Sequence, residues 1–241
     1  MKTFVAISVG ILTMASCSAQ WGKGIKGNGN EVTIQRSVGD YDGVSVSGWF
    51  DVDLVAGREG ELQLKGEENL LEYIITEVQN GKLVIKVKKG VNLKPSNWKE
   101  GISITVPVEN IESISMSGSG DIVGKTTLKA SKFKTAMSGS GDITLNIQTG
   151  YMIAAMSGSG DMNLSGTTKD FEATISGSGD IKAYDLIAEN VEATVSGSAD
   201  IKITAKEMLK ARVSGSGDIS YRGNPKKVDT KTSGSGDISK G

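Results

Sequence analysis

Apolar and polar residues alternate along most of this chain, but they do so in two different ways. Between Val32 and Met116 the alternation comes in short runs, as at Val44, Val46, Val52 and Leu54, each set against polar neighbours at a period of two. This predicts strands joined by turns. Asn80-Gly81, between Ile74 to Val78 and Leu83 to Val87, predicts a hairpin, because a type I′ turn needs positive φ at both central residues. Glu67 to Tyr73 reads as a short helix. Ile102 to Val106 reads as a further strand, which Pro107 is expected to end by removing a ladder donor.

From Ser117 onward the alternation is periodic. Ser-Gly-Ser-Gly-Asp-Ile begins there and recurs, with minor changes, from Ser138, Ser157, Ser176, Ser196, Ser214 and Ser233, at intervals of 21, 19, 19, 20, 18 and 19 residues. A flexible Gly-Ser linker would not return at a near-fixed period with apolar residues phased around it. Phe171, Ala173 and Ile175 alternate with Glu172 and Thr174, and the frame recurs as Val191, Ala193, Val195 and as Leu209, Ala211, Val213. Carried through the motif, that parity turns Gly177, Gly179 and Ile181 inward and Ser176, Ser178 and Asp180 outward. The glycines then sit at a tight corner, where the absence of a Cβ permits close backbone approach. The interval differences fall between the apolar residue after Asp-Ile and the next inward Phe, Val or Leu, which predicts loops of unequal length on one side of the coil.

A repeat this short cannot bury its own apolar face, whereas stacked coils share a core, each strand pairing in parallel with its equivalent one turn away at ~4.8 Å. The expected fold is all-β: a right-handed parallel β-helix (β-solenoid) of about 19-residue coils with an N-terminal β-rich capping part. Crossover chirality favours the right hand, and a left-handed solenoid stays open on repeat length alone. The expected organisation is a signal peptide over 1–19, a linker or N-terminal strand over 20–38, and a β-helix domain over 39–238. Within that domain, 39–116 is the N-terminal β part and 117–238 holds the seven repeats.

Composition narrows the function classes. A chain of 241 residues, 37% hydrophobic and 23% charged, suits one domain with a real core, or at most two. The net charge of -1, with no basic stretch interleaved with aromatics, lacks the footprint of a nucleic-acid binder. Lys2 and the apolar run from Phe4 to Met14 form an export signal too short to span a bilayer. Two exits follow it. Met14-Ala15-Ser16-Cys17 resembles a bacterial lipoprotein box and would lipidate Cys17; Cys17-Ser18-Ala19 suits ordinary signal peptidase and would cut between Ala19 and Gln20, which is the favoured reading. No cysteine follows Cys17, so disulfides and thiol chemistry are absent from the folded domain. Gly22-Lys23-Gly24-Ile25-Lys26-Gly27 matches the dinucleotide-binding spacing, but it lacks the preceding strand and following helix and reads as a linker or fraying strand.

From about Gly39 to Ile238 the chain resembles the auto-transporter adhesin, head GIN domain family of exported proteins of Gram-negative bacteria. The resemblance rests on Val44-Ser45-Val46-Ser47-Gly48-Trp49-Phe50-Asp51-Val52, on Glu67-Glu68-Asn69-Leu70-Leu71-Glu72-Tyr73-Ile74, and on the Ser-Gly-Ser-Gly-Asp repeats. It implies a β-helical fold and a place in the periplasm, at the outer membrane or on the cell surface. No catalytic residues come with it. Nothing in the chain resembles the ~10-residue alternating strands and aromatic girdles of an auto-transporter's membrane barrel.

With no histidine, a Ser-His-Asp triad and His-ligated zinc are impossible. The acidic residues recur identically from coil to coil, whereas an active site needs a unique constellation, so a non-enzymatic protein without cofactor or metal is expected. A polysaccharide-active β-helix enzyme is the remoter reading. The residues that carry candidate chemistry are the outward ladder Asp121, Asp142, Asp161, Asp180, Asp200, Asp218 and Asp237. Stacked ~5 Å apart, neighbouring carboxylates repel by ~1 kcal/mol per pair in water, or ~3 to 4 at an effective dielectric of twenty. Either the Ser hydroxyls and Gly amides of each turn offset this locally, or the ladder binds cations or sugar hydroxyls. The function is accordingly an adhesin-like, ligand-binding envelope module or a structural scaffold. Expected partners are an envelope or extracellular glycan or protein, with no nucleic acid, no transmembrane segment in the mature chain, and a lipid anchor at Cys17 as the alternative. Exposed aromatics beside the ladder would favour binding, and Trp49 and Trp98 are the tryptophans available.

Overall fold

The computed structural model describes residues 23–97 and 101–241. Cys17, Ala19 and Gln20, the rest of the export segment, and Trp98 lie outside the described residues. The N-terminal part runs β1 (Lys23–Lys26), β2 (Glu31–Ser37), β3 (Gly43–Gly48), β4 (Asp51–Ala56), β5 (Glu61–Glu67), α1 (Glu68–Leu71), β6 (Ile74–Gln79), β7 (Lys82–Val87), β8 (Val91–Lys94) and β9 (Ser103–Val108). The array follows as β10 (Ser113–Gly118), β11 (Ile122–Gly139), β12 (Ile143–Gly158), β13 (Asp161–Gly177), β14 (Asp180–Gly197), β15 (Asp200–Gly215), β16 (Ile219–Arg222), β17 (Lys227–Gly234) and β18 (Ile238–Lys240).

Coils of about 19 residues stack into a β-solenoid of about 7 turns, every coil-to-coil ladder from β10 onward being parallel. The register aligns equivalent residues. Ile122, Ile143, Met162, Ile181, Ile201 and Ile219 form one inner row, and Phe133, Met152, Phe171, Val191 and Leu209 another. All of these side chains are buried, as the alternation requires. Full burial of a Val, Leu or Ile is worth about 1.5–3 kcal/mol, so each row supplies the cohesion that a lone repeat lacks.

The hairpin forms at Asn80 (φ +52°) and Gly81 (φ +75°), joining β6 to β7, and the short helix is α1. Of the segment over 20–38, Lys23–Lys26 and Glu31–Ser37 form strands: β1 pairs in parallel with β8, and β2 antiparallel with β5.

Three expectations change. Pro107 does not end its strand, since β9 runs on to Val108. β5 pairs with β9 only over Ser103 to Thr105, so at Pro107 one side is free of a ladder, and there its carbonyl accepts the Tyr41 hydroxyl at 2.5 Å. Repeat-length differences make a loop only in the last coil, over 223–226 between β16 and β17. Elsewhere they are absorbed as register shifts, for example between Asn163 and Ser165 and between Ala183 and Ile187, because strands paired on both sides keep most of their hydrogen bonds by bulging. Third, the stack begins before Ser117. β10 pairs with β3 (Ser47↔Ser117, Gly48↔Gly118) and β4 with β11 (Val52↔Ile122), so Ser47-Gly48-Trp49-Phe50-Asp51-Val52 is a degenerate coil beneath the first repeat.

Beneath that coil lie β7 and β9, and antiparallel β6, β5 and β2 close the end. Antiparallel strands suit closure because they return directly, without a crossover. The buried Glu67 carboxylate clamps this region by accepting the Gly29 N–H at 2.5 Å and the Ser96 N–H at 2.7 Å. Arg36 donates to the carbonyls of Leu71 and Ile74, fixing α1 against β6. At the other end β17 pairs with β15 and β18 with β16, and the inner rows finish in Val228, Thr230 and Thr232, all exposed.

Candidate functional site

The seven aspartates stand in one column on the outer wall, and the column extends one coil further, to Asp51. The donor to each carboxylate is neither the hydroxyl nor the amide of its own turn. It is, at all but Asp180 and the terminal Asp237, the backbone N–H of the aspartate one coil on: Asp121 donates to Asp51 Oδ1 at 3.0 Å, Asp142 to Asp121 at 2.9 Å, Asp161 to Asp142 at 2.9 Å and Asp180 to Asp161 at 3.2 Å. The series resumes with Asp218 on Asp200 and Asp237 on Asp218, both at 2.8 Å. Its break falls where Ala199 replaces the second glycine of the motif. Return bonds run the other way, with the Ile122 N–H donating to the Asp142 carbonyl at 2.8 Å and Ile219 to Asp237 at 2.9 Å. A hydrogen bond to a charged group is worth about 1.5–3 kcal/mol, enough to offset the repulsion of stacked carboxylates in a high-dielectric setting.

The two glycines of the motif act differently. Gly177 has φ +149°, a conformation that side-chain-bearing residues rarely adopt. Gly179 has no such φ, but a Cβ on it would lie 1.9 Å from the Gly160 carbonyl oxygen of the preceding coil.

Beside the ladder the wall stops repeating. The next outward column reads Thr144, Asn163, Lys182 and Lys202. Lys182 lies between two ladder carboxylates, in contact with Asp161 and 3.9 Å from Asp180. Its hydrogen bond to Asp161 holds its ammonium above the usual lysine range, against a smaller opposing effect of burial, and the charges of Asp161, Asp180 and Asp142 add to the rise. Alternation after Ile181 already faces Tyr184 outward; the register shift between Asn163 and Ser165 turns Asp185 outward beside it, and the Arg222 guanidinium stacks 3.9 Å from the Tyr184 ring centroid. Together Thr144, Asn163, Ser165, Lys182, Tyr184, Asp185 and Lys202 enclose a groove of about 440 Å³ floored by Leu164.

A second notch, of about 160 Å³, lies on the wall that precedes the motif and is lined by Tyr151, Asp170, Glu172, Asn190, Glu192 and Met208. Its polar groups answer one another: Tyr151 donates to Glu172 at 2.9 Å, Asn190 to Asp170 at 2.8 Å, and Lys210 to Glu192 at 2.6 Å. The bond to the Glu172 carboxylate, then burial, raises the Tyr151 phenol above its ordinary range. Among the described residues, no three His, Cys, Asp or Glu side chains converge to hold a metal ion. Trp49 is half-buried, its ring 6.1 Å from that of Phe50.

Sequence reasoning located the ladder but missed the groove. The signal was present in the 20-residue interval between Ser176 and Ser196, whose added residue accompanies the outward turn of Asp185 next to Tyr184.

The model of the family described as "Putative auto-transporter adhesin, head GIN domain" matches residues 40–225. Among solved structures, a "putative adhesin" from Bacteroides fragilis is 25% identical with a TM-score of 0.83, covering 90% of this chain and 99% of its own. A "putative lipid binding protein" from Parabacteroides distasonis is 27% identical with a TM-score of 0.76, covering 91% and 100%. A "putative adhesin" from Parabacteroides merdae, at 20% identity and a TM-score of 0.71 over 91% of this chain and 99% of its own, shares the fold. No curated protein matches the sequence.

Proposed function

Because the chain belongs to the head GIN domain family, we propose that it is an exported, non-enzymatic, adhesin-like module of the cell envelope that binds ligand on the outer wall of its solenoid. The observation that carries this reading is the contrast between the ladder and the groove next to it. The aspartates spend their Oδ1 atoms on the next coil, which suits scaffolding, and no cation is needed to hold them together. The groove instead gathers an amide, two ammonium groups, the Asp185 carboxylate and an aromatic ring that the other coils do not repeat, the mix of apolar surface and a few placed polar groups that small-ligand sites use. The "adhesin" and "lipid binding" names of its structural neighbours are compatible with a binding role. Export by the N-terminal segment places this wall outside the cytoplasm, with the mature chain beginning at Gln20 or anchored through a lipidated Cys17.

The test is a glycan array probed with the mature protein, with and without calcium, alongside fractionation and intact-mass measurement of the envelope-associated protein. Calcium-independent binding to a subset of glycans is expected. Absence of binding to any glycan, lipid or cell surface would favour a pure scaffold, and Met1 retained on exported protein would refute processing of the signal segment.

A further inference from the structure

The two ends of the solenoid are finished differently. At the N-terminal end Arg36 lies against the last strand, β6, donating to the Ile74 carbonyl and reaching the Thr76 hydroxyl at 3.5 Å. At the other end β17 pairs with β15 along one side and with no strand of the described residues along the other. Every residue of β17 is exposed, including the inward Val228, Thr230 and Thr232. At 50%, Val228 is the most exposed large apolar side chain among the described residues. The coils below set the bonding direction of this edge. Lys134, Ile153, Glu172, Glu192, Lys210 and Asp229 share one register position, at which the Lys134 N–H donates to the Glu112 carbonyl of the preceding coil. Successive residues of a strand bond to alternate sides. Asp229 and Lys231 therefore bond back to β15, while Val228, Thr230 and Thr232 turn their N–H and C=O groups to the open edge, a template for a further strand.

We propose that two copies of this chain join end to end through β17, each antiparallel to the other about a two-fold axis at Thr230. The strand Lys227-Val228-Asp229-Thr230-Lys231-Thr232-Ser233 is complementary to its own reverse in that register. Thr230 meets Thr230 and Val228 meets Thr232 as hydrogen-bonded pairs, with all the inward side chains kept inward. Asp229 of each copy meets Lys231 of the other as a non-hydrogen-bonded pair, in which opposed side chains come closest. Other registers fit less well. An axis at Asp229 or at Lys231 opposes like charges, which destabilises. An axis at Val228 matches Asp229 to Lys227 but sets Lys231 against Pro225, outside β17, and so forms fewer rungs. An axis between residues sets inward side chains against outward ones. Arg212 holds the Asp229 carboxylate by Oδ2 at 2.5 Å, which fixes it on the outer wall with Oδ1 left for Lys231 of the second copy. A single strand pair at the tip of a narrow coil lies at the small end of specific interfaces, so the dimer is weak and reversible. It does not draw on the ligand-binding role proposed above and leaves the outer wall of both copies open.

Sedimentation velocity of the mature protein, from micromolar to millimolar concentration, should show a reversible monomer–dimer equilibrium and nothing larger, because a two-fold contact closes on itself. Thr230→Pro removes an N–H that faces solvent in the single chain, so dimerisation should be lost while the melting temperature at micromolar concentration holds. Lys231→Glu and Asp229→Lys should each weaken dimerisation by at least about tenfold, as opposed like charges replace paired ones. An equimolar mixture of those two variants should recover it, since each new side chain then meets its opposite across the axis. A residue that merely supported its own chain would give no such mutual rescue. A monomer at every concentration, oligomers that grow past two by head-to-tail stacking, a dimer that survives Thr230→Pro, or folded charge variants that fail to rescue one another would each overturn the assignment.

Discussion

Phe50 and Gly179 hold the same place in their coils, yet one is among the largest buried side chains and the other has none. The geometry explains both. A Cβ at the second glycine of the motif points at the preceding coil, reaching the Gly160 oxygen from Gly179 and the Phe50 oxygen, at 2.1 Å, from Gly120. Beneath Phe50 the backbone is paired differently, the Asp51 N–H donating to the Ile102 carbonyl at 3.1 Å. β7 pairs with β3 only as far as Ser47, and β9 picks up β4 at Asp51, so among the described residues the ladder is interrupted at this corner and a side chain fits there. The Phe50 ring fills it, close enough that a Cβ on Gly48 would meet the ring at 2.5 Å, where Gly118 would instead meet the Gly48 backbone. One position therefore demands the smallest residue inside the stack and a large one at its start. Neighbouring coils, rather than local conformation, set the requirement.

The sharpest way to break this comparison is Gly179→Val. A backbone carbonyl cannot step aside as a side chain could, so a loss of about 4 kcal/mol or more is expected, against under ~1 kcal/mol for the outward Ser178→Val. Equal losses in denaturant melts would refute the inward assignment. Phe50→Ala, which empties the corner, should cost about 3–5 kcal/mol. A cost near zero would mean that the corner collapses and that the stack needs no plug.

The N-terminal end also depends on pH in a way that the repeats need not share. Burial works to raise the Glu67 carboxyl, but the donors on Gly29 and Ser96 outweigh it and hold the group below its ordinary value. A carboxyl whose folded value is depressed stabilises above its unfolded value of about 4.3, and this contribution fades as pH falls through the lowered folded value. Amide exchange over 27–30 and 95–97 should accelerate in acid before exchange in β12 to β14 does. Glu67→Gln should remove that difference, and uniform acceleration throughout the chain would show that the clamp is not the sensitive element.

Within the array, Thr135 occupies an inner row that reads Ala154, Ala173, Ala193 and Ala211 in the coils above it. It is fully buried, and its hydroxyl has no partner. Thr135→Val should therefore raise stability by about 1 kcal/mol; a loss of that size in thermal melts would reveal a hydrogen bond in solution. The smallest effect is expected at the ladder. Asn at both Asp142 and Asp218 keeps an acceptor for the next coil and removes repulsion, so stability should stay within about 1 kcal/mol. Millimolar calcium should leave the wild-type melting temperature unchanged. An Asp-dependent rise would mark a cation site, since a ligand that binds only the folded state stabilises it.

How much of this was legible in the chain follows from the range over which each constraint acts. Alternation at Phe171, Ala173 and Ile175 and the near-constant return of Ser-Gly-Ser-Gly-Asp are local facts. They suffice to turn side chains inward or outward and to require coils that share a core, and Asn80-Gly81 likewise carries its hairpin within a few residues. Other features depend on what lies one coil away. That Phe50 belongs to a degenerate copy, that an aspartate's carboxylate is met by the next aspartate's N–H rather than by its own turn, and that Tyr184 stands beside Lys202 and Arg222 are set by the stacking register and by where each extra residue bulges. No pattern along the chain encodes those distances, because they arise only when residues about 19 positions apart are brought side by side.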